Sequence, residues 1–450
     1  MKKVLKYLAI AFAVALAGTA IIFWVVIGNA RTSLAEQRAE IAARGEPLTI
    51  EDLVRGEAPR GVETLEWLRT LQTSGRLGEH WSDEILYETF MLDKAISDER
   101  EARGEPETIA AIEELREFLV ADEGSELTRL LQAFLADEQQ IGNPALFDAA
   151  KRRGLWLWAG DSKEVRQLAQ EVAGLVPFNF AARAAEGNGR PPMQWPPLPL
   201  ITQIRLVRRL ARSSLRPAID GEGSEAVRRL DLALQAAGLA RDPENLSWSM
   251  SRRIHHLYCL KSLSHALPLL APEVDLTSIE ERLDALDIRT EFLDAWRGER
   301  VLTLGSLEFV GGPSASFYLR WTMDISIRSG LEAMTDCIAE LEATWEEAGE
   351  RPVVTAPSGG SQILGLNVSG MVLPQLERSR KTAKTHESLV LQARLALAIR
   401  REGLEAMRAE LETVVDPLSG GYFQVESGGE GFVALRSVGE DPWTWWIRVK

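Results

Sequence analysis

The chain has 450 residues, of which 45% are hydrophobic and 26% charged, a balance that excludes a disordered protein and suffices for one large core or two to three ordinary ones. Its formal charge is −15; the first thirty residues carry three lysines and no acid, so the remainder carries −18, which disfavours nucleic acid and anionic surfaces as partners. Two cysteines, Cys259 and Cys337, exclude a disulfide-dense scaffold and any multi-cysteine zinc or iron–sulfur centre; they read as buried small hydrophobes, with a single disulfide as the alternative.

Taken in order, the chain opens on Lys2, Lys3 and Lys6, followed by LAIAFAVALAGTAIIFWVVI, an uncharged run from Leu8 to Ile27. About twenty helical residues at 1.5 Å each cross a hydrocarbon layer of roughly 30 Å, so this run predicts a transmembrane helix whose partner is the lipid bilayer. The lysines before it place the N-terminus in the cytoplasm and the body outside it, giving a single-pass protein of the inner (cytoplasmic) membrane. Gly28-Asn29-Ala30 also offers a small-x-small pattern, so cleavage after Ala30 is the alternative; the length of the run and Trp24 at its outer edge favour a retained anchor.

The expected organisation is a cytoplasmic tip and anchor at 1–30, a juxtamembrane stalk and first helical half at 31–186, a proline-rich linker or loop at 187–199, a second helical half at 200–415 and a β tail at 416–450. From Ser33 the chain is helix-friendly up to Gly45, which suits a C′ position, and Thr49 and Asp52 have capping-box spacing. Leu65, Leu68 and Leu71 mark a helix over Val62 to Thr73, and further amphipathic helices are expected from Ser82 to Val176. GNGRPPMQWPPLP, from Gly187 to Pro199, forbids helix continuation and doubles as a candidate proline-recognition motif.

Helices resume at Leu200, where Ala226, Leu230, Ala233, Leu234 and Ala237 alternate small and large residues, as in one hairpin of a tetratricopeptide-like array without the 34-residue repeat. Long helical stretches are expected over Leu246 to Leu270, Leu276 to Trp296, Phe317 to Trp345 and Gln375 to Arg401. From Asp416 the periodicity changes to two: Phe423 and Val425, then Val433 and Leu435, then Trp443, Trp445 and Ile447 predict antiparallel strands with a hairpin at Ser427-Gly428-Gly429. The fold class expected is mainly α, an irregular multi-helix domain behind the anchor with a small antiparallel β tail.

Chemistry is sparse. His255 and Cys259 stand at i,i+4 and His256 and Cys259 at i,i+3, so these three are weak candidates for a metal or for a nucleophile with its base, against a helix face at the rim of the core. His386-Glu387 lacks the second histidine of a zincin, no glycine stretch makes a phosphate or dinucleotide loop, and no serine has a nucleophile-elbow context. Pairs such as Glu280-Glu281 read as solvated faces. No cofactor is expected.

Two segments carry a resemblance. LARSSLRPAIDGEGSEAVRRLDLALQAAGLARDPENLSWSMSRRIHHLYCLKSLSHAL, with RGEPLTIEDL near the anchor, resembles the helical core of uncharacterised bacterial single-anchor envelope proteins. QARLALAIRREG followed by DPLSGGYFQVESGGEGFVALRSVGED is similar to the end of the same proteins, and its DP-x-x-G pattern resembles the C-terminal sheet of type II secretion pseudopilins. A pseudopilin would begin its mature chain on a Phe with Glu at the fifth position; Phe12 and Phe23 lack that context, so the likeness is confined to the tail and brings no catalytic residue. The expected function is a membrane-tethered, extracytoplasmic, non-enzymatic interaction or scaffold component of the envelope with a protein partner. The alternative is an envelope hydrolase with a site assembled from scattered histidines and carboxylates.

Overall fold

In the computed structural model, residues 25, 28–29, 31–54, 56–74, 76–77, 163–240, 246–310, 312, 317–346, 368–429, 431–437 and 444–449 are described. The expected helices between Ser82 and residue 162, and all of the Leu8 to Ile27 run except Val25, lie outside them. Among the described residues no helix is long and apolar enough to cross a membrane.

Residues 28, 29 and 31–43 are helical, and the Thr32 hydroxyl donates to the Gly28 carbonyl four residues back at 3.0 Å. This stalk ends as its sequence requires. Gly45 takes φ 71°, its N–H reaches the Ala42 carbonyl, and the Glu46 N–H reaches Ile41, the paired bonds of a Schellman cap. The next helix, α1 (Ile50–Val54), has the reciprocal capping box: Asp52 N–H donates to Thr49 Oγ1 at 3.2 Å and Thr49 N–H to Asp52 Oδ2 at 2.9 Å.

α2 (Val62–Thr73) buries Leu65, Leu68 and Leu71, the expected face. It enters through Gly61, whose φ is 67° and whose Cα sits so close to Phe178 that a Cβ would lie 2.7 Å from that residue's backbone. α3 (Lys163–Ala173) packs nearby, and α4 (Phe180–Gly187) is capped by Asn179, which accepts from Ala182 N–H and Arg60 N–H at 3.0 Å each. That buried amide joins the two chain segments, since its own NH2 donates to Glu57 and to the Ala58 carbonyl.

The proline-rich stretch contains a short 3-10 turn, Pro192–Gln194, and lies against the body. Trp195 meets Phe180 at 5.9 Å between ring centroids, the Arg183 guanidinium stands 5.4 Å from the Trp195 ring, and Arg69 donates to the Pro197 carbonyl. Beyond it come α5 (Leu200–Ser213), α6 (Leu215–Asp220), α7 (Gly223–Ala237) and α8 (Leu246–Ala266), of which α5, α7 and α8 pack mutually. Ala226, Ala233, Ala236 and Ala237 are fully buried on α7, and such small side chains let the helix axes approach.

The stretch from Leu276 to Trp296, expected as one helix, is two: α9 (Thr277–Asp284) and α10 (Ile288–Val310). Asp287 opens the second by accepting from Thr290 N–H at 3.0 Å, while Arg394 donates to the carbonyls of Leu283 and Leu286. A cap plus a distant cation outweigh the helical periodicity there. α11 (Phe317–Glu346) and α12 (Val368–Glu402) follow, the latter starting seven residues before the expected Gln375, and then α13 (Leu404–Leu411).

The tail is a three-stranded antiparallel sheet, β1 (Gln424–Gly429), β2 (Phe432–Arg436) and β3 (Thr444–Arg448), in that spatial order. Its inward residues Val433, Leu435, Trp445 and Ile447 are buried against α12, each contributing roughly 1.5–3 kcal/mol of apolar transfer. One hydrophobic cluster runs from Leu65 on α2 to Ile447 on β3.

Candidate functional site

α8 has apolar and polar residues on every side, because it is surrounded. It meets α10 and α12 over one turn, and there the described ionisable groups gather. Arg252 on α8 pairs with Glu291 on α10 at 3.0 Å. His256 on α8 faces His386 on α12, with Nδ1 and Nε2 3.0 Å apart and ring centroids at 5.0 Å. In that contact one imidazole donates its N–H to the bare nitrogen of the other.

His255 is buried beside them, edge-on to Trp248 at 6.3 Å, and neither ring nitrogen has a hydrogen-bond partner. Burial, reinforced by the Arg252 charge, lowers the His255 pKa to about 3. Burial together with Arg253 and Arg252 lowers His386 to about 3 as well. His256 is pushed well below 6.5 by burial, then by His386, Arg252 and His255. Burial also raises the Glu291 carboxyl, although the Arg252 charge opposes it.

A shallow cleft of about 280 Å³, part of it open solvent, is lined by Ser249, Arg252, Arg253, Glu291, Thr382 and His386 among others. Its enclosed end has room for roughly one water molecule. Neutral imidazoles bonded to each other, a carboxylate engaged by an arginine and a water-sized recess can share a proton. They present no activated nucleophile and no space to hold a substrate beside one.

Of the three candidates from the sequence, the structure brings His256 to a partner that is not Cys259. Both cysteines are free and buried, and burial pushes the Cys259 thiol pKa up, so it stays protonated. Among the described residues no three or more His, Cys, Asp or Glu side chains stand close enough to hold a metal ion. The residues that sequence reasoning missed are His386, Arg252, Arg253 and Glu291. His386 is 130 positions from its partner, and its local context carried only the failed zincin match.

A second polar centre lies under the β tail. Asp416 is fully buried and accepts from Leu418 N–H at 3.0 Å, Ser419 Oγ at 2.9 Å and Ser437 Oγ at 2.6 Å. Burial alone would raise its pKa, but the hydrogen bonds from Ser388, Ser437, Leu418 and Ser419 outweigh it and the pKa is lowered. The Asp416-Pro417 turn therefore locks the sheet to α12.

Comparison of the chain with protein-family models, with curated proteins and with solved structures finds no match.

Proposed function

We propose that this protein is a membrane-tethered scaffold of the cell envelope, anchored in the inner membrane through Leu8 to Ile27 and holding a protein partner against its extracytoplasmic helical body. The observation that carries the reading is the stalk. Residues 28, 29 and 31–43 are helical, and the body grips this segment: Arg38 pairs with Glu308, and the fully buried Arg300 pairs with Glu46 at 2.8 Å and donates to the Pro47 carbonyl. Helical backbone at Gly28 and Asn29 and again from Arg31 suits a retained anchor, because a peptidase needs its substrate extended. The scaffold half of the reading draws support from how Arg229, Arg400 and Arg252 are used, the first two bonded to backbone carbonyls and the third to a carboxylate within the body.

The test has two parts. Carbonate washing should leave the protein in the membrane pellet and protease should reach the body from the outer side; release by carbonate, or protection until the inner membrane is lysed, would refute the tether or its orientation. Affinity capture from gently solubilised membranes should return a reproducible partner, unchanged by His386→Gln. A hydrolytic activity abolished by that substitution would favour the hydrolase instead.

A further inference from the structure

The stalk and the α10–α11 hairpin share a register that fixes how far each reaches toward the membrane. Stalk and α10 are antiparallel: Arg38 pairs with Glu308, Ile41 shares a core cluster with Leu304, and Glu46 pairs with Arg300. α10 and α11 are antiparallel as well. Leu304 clusters with Ile327 and Leu331, Phe292, Leu293 and Trp296 cluster with Cys337, Ile338 and Leu341, and Arg297 pairs with Glu342 at 2.7 Å.

From the level of Leu304, α10 runs on to Val310, about 9 Å at 1.5 Å per residue. From Ile327 or Leu331 at that same level, α11 extends back to Phe317, about 15–21 Å. The start of α11 thus overshoots the end of α10 by one to two turns. Measured along the stalk, Phe317 is level with the described residues Gly28, Asn29 and Arg31, which follow directly in sequence on the apolar run. The headgroup layer of one leaflet is roughly 5–8 Å thick.

The residues at that height read Phe317-Tyr318-Leu319-Arg320-Trp321. Aromatic residues with one arginine are the composition of a membrane–water interface, where ring and alkyl bodies meet the acyl boundary and a guanidinium meets phosphate. Below it, one residue short of the end of α10, Phe309 is 50% exposed. A body that carries −18 gains nothing by lying on an anionic leaflet, so a neutral-to-basic aromatic tip is where lipid contact costs least.

We propose that the first two turns of α11 lie in the headgroup layer of the bilayer that holds the tether, giving the body a second, non-spanning contact with lipid. The proposal rests on the tether reading and adds an orientation: the start of α11 faces the membrane, and the far end of α10, with α9 beyond it, points away.

The test uses the full chain in phosphatidylcholine vesicles with a minor share of phosphatidylglycerol. Single cysteines at each of Phe317, Tyr318, Leu319 and Arg320 carry an environment-sensitive fluorophore, with Ile22→Cys, Phe309→Cys and Glu281→Cys as references. Four successive positions are 100° apart, so one faces lipid whatever the rotation of the helix. Cys259 and Cys337 are buried and stay unlabelled in folded protein, which exposes any variant that fails to fold.

Headgroup-nitroxide lipid should quench at least one tip position roughly threefold more than Glu281→Cys, with Phe309→Cys between them. Acyl-chain nitroxide should quench Ile22→Cys. Quenching at Ile22 with every tip position no stronger than Glu281 would overturn the hairpin contact and leave the tether standing. Loss of quenching at Ile22 would overturn the tether and this inference with it.

Discussion

His255 is neutral and buried with two unpartnered nitrogens, and that makes acid a specific perturbation of the fold. Its folded pKa of about 3 lies below the ordinary 6.5 that it regains on unfolding. The unfolded chain therefore binds the extra proton between those values. Stability from this group is fully present above pH 6.5 and is lost as the pH falls toward 3, by about 1.4 kcal/mol per unit. At pH 5 the loss is about 2 kcal/mol for His255 and about the same for His386. His255→Leu removes the titration and relieves the unsatisfied nitrogens, worth about 1–3 kcal/mol, against about 1 kcal/mol for the lost contact with Trp248. The variant should match or exceed the parent near neutral pH, and its advantage should widen by about 2 kcal/mol at pH 5. Urea unfolding followed by emission of the buried Trp248, Trp296 and Trp445 across pH 7.5–4 measures this. Parallel stability curves for parent and variant would refute the reasoning.

Three further substitutions probe the frame. Arg400→Ala strips the donor from the carbonyls of Leu267, Leu270 and Ala271 at the end of α8 and should cost about 3–5 kcal/mol by urea unfolding, Arg400→Lys less; a loss under about 1 kcal/mol would mean water replaces the guanidinium. Gly61→Ala forces a Cβ into the Phe178 backbone at a left-handed φ, so a loss of about 2–4 kcal/mol is expected, and an unchanged melting temperature would contradict the close approach. Asp416→Ala leaves the Ser419 and Ser437 hydroxyls and the Leu418 N–H without their acceptor, with about 2–3 kcal/mol and the near-ultraviolet signal of Trp445 expected to go. Because the folded pKa of Asp416 is depressed, its contribution is present above the ordinary 3.8 and fades as the pH falls below that value.

The helices and the sheet were readable because their signals are local. Leu65, Leu68 and Leu71 at threes, the Thr49–Asp52 box, Gly45 and the alternation of Val433, Leu435, Trp445 and Ile447 each report a backbone state within a few residues. The break before Ile288 was missed because half of its cause, Arg394, sits more than a hundred positions away. The same distance hid the histidine pair: His255 and His256 looked like partners of Cys259 on one helix, but the packing of α12 supplied His386 instead. Spacing along a helix says which residues share a face. It says nothing about what the facing helix presents.

The arginines explain how a bundle without a repeat stays specific. Arg229 donates to the Ser213 carbonyl at the end of α5, Arg394 to Leu283 near the end of α9, and Arg400 to the carbonyls just past α8. Helix C-termini carry partial negative charge and unpaired carbonyls, so each is a natural socket for a cation from elsewhere in the chain. A guanidinium fits such a socket in one geometry only, which pins helix ends where leucine packing alone would let them slide. Spending buried arginines inside the body leaves the acidic surplus to its surface, and an acidic surface is held off an anionic leaflet. On the proposed tether, two points of attachment lying side by side, the stalk and the start of α11, would give such a body a fixed orientation. The depth order Ile22, at least one of positions 317–320, Phe309 and then Glu281 is the signature that such a geometry must leave.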